Sequence, residues 1–210
     1  MSVRREVAPT IEASSLLHEE LLALWDGLSP LATPRNFVAA GFCLVTRQHV
    51  LGQFHLVSVG LDVSATTLVR PSFETLVRSV WAFNGAGDDW IEGFLSPSEA
   101  AVNSDGETLK GPPVDFMLAA IRLHHPANIW SALTLLKEST WRAMHSYVHG
   151  GVRAFAQAMT DMPEHEVAGM LMNANTMLAM STNVFRMSCG VRSTELTELW
   201  KKHAACFPPP

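Results

Sequence analysis

The side chains best suited to chemistry lie close together near residue 140, where an acid, a guanidinium and two imidazoles recur at helical spacing. Imidazoles move protons near neutral pH, and a guanidinium holds anions such as phosphate or carboxylate. On a helix, steps of four, three and four bring these side chains within about 60° of one another. We call the set the first polar row; it consists of Glu138, Arg142, His145 and His149. The row predicts a functional site but does not name its substrate.

One amphipathic helix must position this row, and the sequence predicts it from about 127 to 148. Trp130 and Trp141 border the row and give it aromatic walls. Gly150 and Gly151 are expected to end the helix, because glycine suits the backbone of a C-terminal cap. The opposite face carries a core-facing stripe of Ile129, Leu133, Leu136, Met144 and Tyr147.

A second set of charged side chains shares one face of a helix expected between 64 and 84. We call it the second polar row; it consists of Arg70, Glu74 and Arg78, and Trp81 lies on the same face. Pro71 either opens this helix at its first turn or kinks a longer one. If the two rows face each other, they form one site. Its substrate-binding residues are then Arg70, Glu74, Arg78, Trp81, Trp141 and Tyr147.

Apolar residues recur at helical spacing almost throughout, which predicts an all-α bundle of four or five long helices with short additional ones. The valines of segment 35–60 argue for a strand, but its length and sparse turn residues favour a helix. The other expected helices cover approximately 11–25, 64–84, 114–123, 127–148, 152–159, 164–189 and 193–204.

We expect a single domain over residues 1–210. Residues 85–113 form an irregular insertion, rich in turn residues, with short helices expected at 88–91 and 96–102. Residues 208–210 are a proline tail that stops the last helix.

Composition restricts the class of protein. A hydrophobic content of 48% is typical of a packed globular chain. The net charge of −5 offers no whole-protein attraction for nucleic acid or an anionic membrane, and no DNA-binding module is visible. The longest charge-free run, 167–185, is interrupted by polar residues, so no membrane span is expected. Three cysteines without metal spacing and no visible signal peptide predict a cytoplasmic setting.

A metal site on His145 and His149 is geometrically possible, since imidazoles one helical turn apart can share a cation. Arg142 lies on the same face, however, and its positive charge opposes a bound cation. We therefore predict no metal and no other cofactor.

The run from Arg142 to Gly150 resembles the arginine-x(4–6)-histidine signature of HEPN-type domains, with Arg142 and His149 in the defining positions. Its Val148-His149-Gly150 ending is also similar to HEPN sequences. Residues 68–74 and 146–151 together resemble an uncharacterised family of bacterial all-helical proteins. Many HEPN domains are dimeric helical bundles that cleave RNA without a metal in toxin–antitoxin or phage-defence systems. The resemblance therefore implies a bacterial homodimer that acts on RNA or a nucleotide.

The resemblance also implies roles for individual residues. His149 transfers a proton at the ribose 2′-hydroxyl or at the leaving oxygen, and Arg142 holds the phosphate. His145 is a second acid–base group. Glu74 orients an arginine or histidine from across the bundle.

Two other interpretations of the polar rows stay open. In a structural interpretation, Arg70, Glu74 and Arg78 are an ion-pair ladder on one helix, and the first polar row faces solvent. In the other, the chain is a non-catalytic helical protein that binds a ligand or another protein. The net charge of −5 favours binding without RNA, because affinity for phosphate chains is largely electrostatic.

Overall fold

The computed structural model describes residues 7–97, 99, 111–192 and 194–209; the side chains of residues 142–145 are not among those described. Within these ranges all regular structure is helical, which confirms the predicted all-α fold. None of the described helices is both long and apolar enough to cross a membrane. The helices are α1 (Ala8–Ala23), α2 (Pro34–Ser58), α3 (Asp62–Thr67), α4 (Val69–Phe83), α5 (Asp88–Leu95), α6 (Val114–His124), α7 (Ala127–Val148), α8 (Val152–Thr160), α9 (Glu164–Ser188) and α10 (Thr194–Lys202), with a 3₁₀ turn at Ala204–Cys206.

Most helix boundaries lie close to the predicted ones, and the valine-rich segment 35–60 is helical as α2. The region predicted as one helix from 64 to 84 is divided between α3 and α4. Pro71 lies in the first turn of α4, where the amide that proline lacks would have no helical partner. The short helix predicted at 88–91 extends to Leu95, and the one predicted at 96–102 lies largely outside the described residues.

The centre of the bundle is formed by α2, α4 and α9, which pack against one another, while α1 packs on α9. Facing side chains in this core are apolar and almost fully buried, and they include Phe73, Leu76, Leu171 and Leu178. Burying each such side chain contributes about 1.5–3 kcal/mol to folding. Because the core fixes α4, its remaining face is available to α6 and α7, which both pack on it.

The turn between α6 and α7 is fastened to the C-terminal end of α4. Nε2 of His125 lies 3.0 Å from the carbonyl oxygen of Val80 and 2.6 Å from that of Asn84, so this nitrogen carries the proton and donates. In return, Nδ2 of Asn84 donates to the carbonyl of His124 at 2.7 Å. Since α7 also packs on α4, it runs back along α4 towards Arg70.

A buried polar cluster joins α1 to α9. Nε2 of His18 lies 2.8 Å from Oδ1 of Asn175, whose Nδ2 donates to Oγ of Ser14 and to the carbonyl of Cys206. Since Oδ1 can only accept, Nε2 of His18 carries the proton. Nδ1 is buried and has no hydrogen-bond partner among the described residues. A second proton there would be buried without an acceptor, and this burial lowers the pKa of His18.

The lowered pKa predicts acid sensitivity. The unfolded chain binds the proton at the ordinary value of 6.5, whereas the folded chain binds it only at lower pH. Protonation of His18 therefore leaves the free energy of unfolding unchanged well above pH 6.5. That free energy falls as the pH drops below 6.5, by up to about 1.4 kcal/mol per pH unit. Burial lowers the pKa values of His49 and His125 in the same direction.

Urea unfolding between pH 5 and pH 7.5 measures this dependence in wild type and in His18→Gln, which keeps a side-chain donor but cannot titrate. We expect a shallower loss of stability in the variant. Identical pH profiles for the two proteins would contradict the assignment to His18.

Candidate functional site

The first polar row ends at the C-terminus of α7, where two glycines close the helix. Gly150 has φ +63°, in the left-handed region that favours glycine. The amide of Gly150 lies 3.4 Å from the carbonyl oxygen of Tyr147, and that of Gly151 donates to the carbonyl of Ser146 at 2.7 Å. These two bonds form a Schellman C-cap. They place His149 as the last residue before the turn, on the exposed surface.

Only the two ends of the first polar row have described side chains, and both Glu138 and His149 are exposed. Arg142 and His145 lie on α7 between them, but their side chains are outside the described residues. The predicted catalytic roles of Arg142, His145 and His149 therefore stay predictions. Among the described residues, no three His, Cys, Asp or Glu side chains are placed to hold a metal ion.

The second polar row forms a half-buried ion-pair ladder on α4. Nε of Arg70 donates to Oε1 of Glu74 at 2.8 Å, and Nη1 of Arg78 lies 3.8 Å from Oε2 of the same carboxylate. The exposed fractions of these side chains are 29% for Arg70, 23% for Glu74 and 17% for Arg78. Partly buried pairs are screened by salt less than surface pairs. The carboxylate of Glu74 thus holds two guanidinium groups in position on its own helix.

The second polar row meets α7 at Trp141. The guanidinium carbon of Arg70 lies 5.1 Å from the ring centroid of Trp141, and Phe73 packs edge-on against the same ring at 6.2 Å between centroids. Nζ of Lys137 lies 5.3 Å from the Trp141 centroid and pairs with Asp115 on α6. We call this meeting of α4 and α7 the Trp141 junction. It brings Arg70, Trp141 and Lys137 together from two helices.

The Trp141 junction has side chains suited to an anion. Arg70 and Lys137 supply cationic groups, and Arg78 lies two turns along α4 from Arg70. His145 follows Trp141 by one helical turn in α7. A phosphate or carboxylate held at the junction would therefore lie within about one helical turn of the backbone of Arg142 and His145.

Trp81 is not brought to the Trp141 junction. It is 4% exposed, and its ring centroid lies 4.6 Å from that of Trp90 in an aromatic cluster that also includes Phe94, both of these being partly buried. The helical wheel places Trp81 on the face of the second polar row, but at this level of α4 the indole packs against α5. Its surroundings are those of a core residue.

Tyr147 lies on the side of α7 away from the first polar row. It is 5% exposed, and its hydroxyl donates to Oε1 of Gln157 on α8. Burial, and then the negative charge of Glu166, raise the pKa of Tyr147, which keeps the hydroxyl protonated. Tyr147 therefore borders a different pocket, between α7, α8 and α9.

A cleft between α6 and α7, which the sequence did not predict, extends along α7 from Trp141. Its volume is about 960 Å³ and its walls include Lys137, Glu138 and Trp130. The guanidinium carbon of Arg122 on α6 lies 5.0 Å from the ring centroid of Trp130. This contact of a cation with an indole resembles that of Lys137 with Trp141. The two tryptophans share one face of α7, which is a signal in the sequence. The α6 residues Arg122 and Asp115 carry no such signal, because their contacts with α7 depend on how the two helices pack.

Replacing Gly150 by alanine tests the C-cap that positions His149. Alanine in the left-handed region costs about 1–2 kcal/mol, so we expect a lower urea midpoint. The matched control is Gly41→Ala in α2, where a Cβ meets no atom within 4 Å and helix propensity improves by about 1 kcal/mol. An undiminished midpoint for Gly150→Ala would contradict the described cap.

No curated protein and no solved structure matches this chain significantly. The model of one protein family does match, over residues 43–209. The matched region contains both polar rows, the Trp141 junction and the α6–α7 cleft. The resemblance to HEPN domains stays a prediction, whereas the expected membership of an uncharacterised family is confirmed. The chain belongs to the family of unknown function DUF6988.

Proposed function

We propose that this protein binds the phosphate of RNA or of a nucleotide at the Trp141 junction and cleaves RNA without a metal ion. The observation that carries the proposal is the contact of Arg70 with Trp141, at 5.1 Å from guanidinium carbon to ring centroid. It joins the helix of the second polar row to the helix of the first. The resemblance of residues 142–150 to HEPN domains adds the reaction class and the setting, a bacterial toxin or defence system.

In the proposed reaction, the ribose 2′-oxygen bonds to phosphorus while its proton passes to one imidazole. The bond from phosphorus to the 5′-oxygen breaks as that oxygen takes a proton from a second imidazole. His149 and His145 are the two groups, one as base and the other as acid. Arg142 stabilises the charge on the phosphate oxygens. Arg70 and Arg78, held by Glu74, add cationic charge beside it.

The alternative is a non-catalytic helical protein that binds a ligand or another protein. One observation favours it: Glu74 is engaged by Arg70 and Arg78 on its own helix, so its described contacts do not orient an imidazole across the bundle. The α6–α7 cleft offers such a protein a binding surface that needs no catalytic histidine.

The first test is cleavage of single-stranded RNA in the presence of EDTA. We expect wild type to cut, and His149→Ala to cut at least about a hundredfold more slowly, since a general acid or base contributes about 10²–10⁴. His165→Ala removes another exposed histidine, in the first turn of α9, and should keep full activity. Melting temperatures of all three proteins establish that the fold is intact.

Two results would contradict ribonuclease activity. One is the absence of cleavage by wild type, which favours the binding alternative. The other is a folded His149→Ala variant that cuts as fast as wild type.

A second test isolates binding with an RNA oligonucleotide methylated at every 2′-oxygen, which cannot react. Arg70→Gln should weaken its affinity about tenfold, because a charge-assisted hydrogen bond to phosphate is lost. The slope of log affinity against log salt should fall by about 0.7. The control is Arg192→Gln, on the exposed segment after α9. Equal losses in the two variants would show that Arg70 acts only through the overall charge.

A further inference from the structure

A second, smaller pocket lies on the side of α7 away from the first polar row. It has a volume of about 310 Å³, at the small end of ligand pockets, and lies between α7, α8, α9 and the α3–α4 region. Its apolar floor includes Met162 and Met170, both buried. Ser146 fixes the start of α8 beside it, because its Oγ accepts from the amide of Arg153 at 3.2 Å.

Two opposite charges border this pocket without pairing with each other. Arg153 on α8 and Glu166 on α9 both line it, and both are exposed at its mouth. Among the described residues neither side chain takes part in an ion pair. Both charges nevertheless act on the Tyr147 hydroxyl, since Glu166 raises its pKa and Arg153 lowers it. A ligand with two opposite charges can therefore satisfy both.

A chain of two hydrogen bonds orients one of these charges. The hydroxyl of Tyr147 donates to Oε1 of Gln157, and Nε2 of Gln157 donates to Oε2 of Glu166 at 2.9 Å. Oε1 of Glu166 has no donor among the described residues. The half-buried amide of Asn173 also lines the pocket, and its side chain has no hydrogen-bond partner among them. Oε1 of Glu166 can therefore accept a hydrogen bond from a ligand in this pocket, and the side-chain amide of Asn173 can bond to the same ligand.

The wall formed by α9 contains a glycine where a helix would be more stable with almost any other residue. Gly169 lies inside α9, one turn after Glu166 and one turn before Asn173, and a Cβ there would meet no atom within 4 Å. Glycine inside a helix costs about 1 kcal/mol relative to alanine. No close approach of the protein to itself requires it, so the space is left to the pocket.

We propose that this pocket binds a free α-amino acid with an apolar side chain. Arg153 takes its carboxylate, Oε1 of Glu166 takes its ammonium group, and the side chain lies against Met162 and Met170. The amide of Asn173 completes the contacts to the carboxylate. This proposal is independent of the proposed ribonuclease activity. The result of the RNA-cleavage test does not decide whether the pocket binds an amino acid, and the binding test does not decide whether the protein cleaves RNA.

Calorimetric titration with L-leucine and L-methionine, each at up to about 10 mM, tests the ligand class, with a matching rise in melting temperature. The comparison ligands are isoamylamine, which is leucine without its carboxylate, and 4-methylpentanoate, which lacks the amino group. We expect each of them to bind at least about tenfold more weakly than leucine, because one charged contact is lost. No binding of either amino acid, or equal binding of the comparison ligands, would overturn the proposal.

Two variants locate the site. Gly169→Leu fills the pocket, so amino-acid binding should be lost, while the melting temperature without ligand stays equal or rises because helix propensity improves. Arg153→Gln should weaken binding about tenfold, and Arg192→Gln should not. A Gly169→Leu protein that binds leucine like wild type would overturn the assignment. RNA cleavage should be unchanged in Gly169→Leu, which separates this site from the Trp141 junction.

Discussion

The contact of the Arg70 guanidinium with the Trp141 ring is the interaction on which this account of the site depends. A cation over an indole contributes about 0.5–2 kcal/mol, depending on how far water is excluded. Its more important effect is geometric, because it joins α4 to α7 at the level where each helix carries its charged side chains. Phe73 supports the same ring from the core side. The contact thus ties the ion-pair ladder of the second polar row to α7.

The sequence predicted most of the helices well because residues at or near their ends give a physical reason to begin or end. Pro71 in the first turn of α4 and the glycines after α7 are local signals, and local signals are visible in one sequence. The division between α3 and α4 follows one of the two alternatives that the sequence left open, in which Pro71 lies in the first turn of a helix. Proline cannot donate to the carbonyl four residues earlier and its ring clashes with it, and that carbonyl belongs to Thr67, where α3 ends.

The candidate site was predicted less completely, because a helical wheel gives the face of a residue but not its neighbour. Arg70 and Trp141 were both expected at one site, and the structure brings them together. Trp81 shares the face of Arg70 but is covered by Trp90, which belongs to a short helix in the irregular insertion. That Arg153 and Glu166 line the same pocket could not be predicted, since it needs the placement of α8 against α9.

The helix α7 is the wall shared by both candidate sites. The described ends of the first polar row, Glu138 and His149, are exposed, and the opposite side of α7 carries Tyr147 at the smaller pocket. The Schellman cap at Gly150 helps to shape both candidate sites. It ends α7 just before the turn, and the turn leads directly into α8, whose start is bonded to Ser146 beside the smaller pocket. A single turn thus sets the position of a predicted catalytic histidine and of Arg153.

The most direct test of the central claim is a double-mutant cycle on the free energy of unfolding, with Arg70→Met, Trp141→Leu and the double variant. If the guanidinium lies over the indole, the two substitutions should be coupled by about 0.5–1 kcal/mol, since removal of either partner abolishes the same interaction. Effects that add to within about 0.3 kcal/mol would contradict the Trp141 junction and the site built on it.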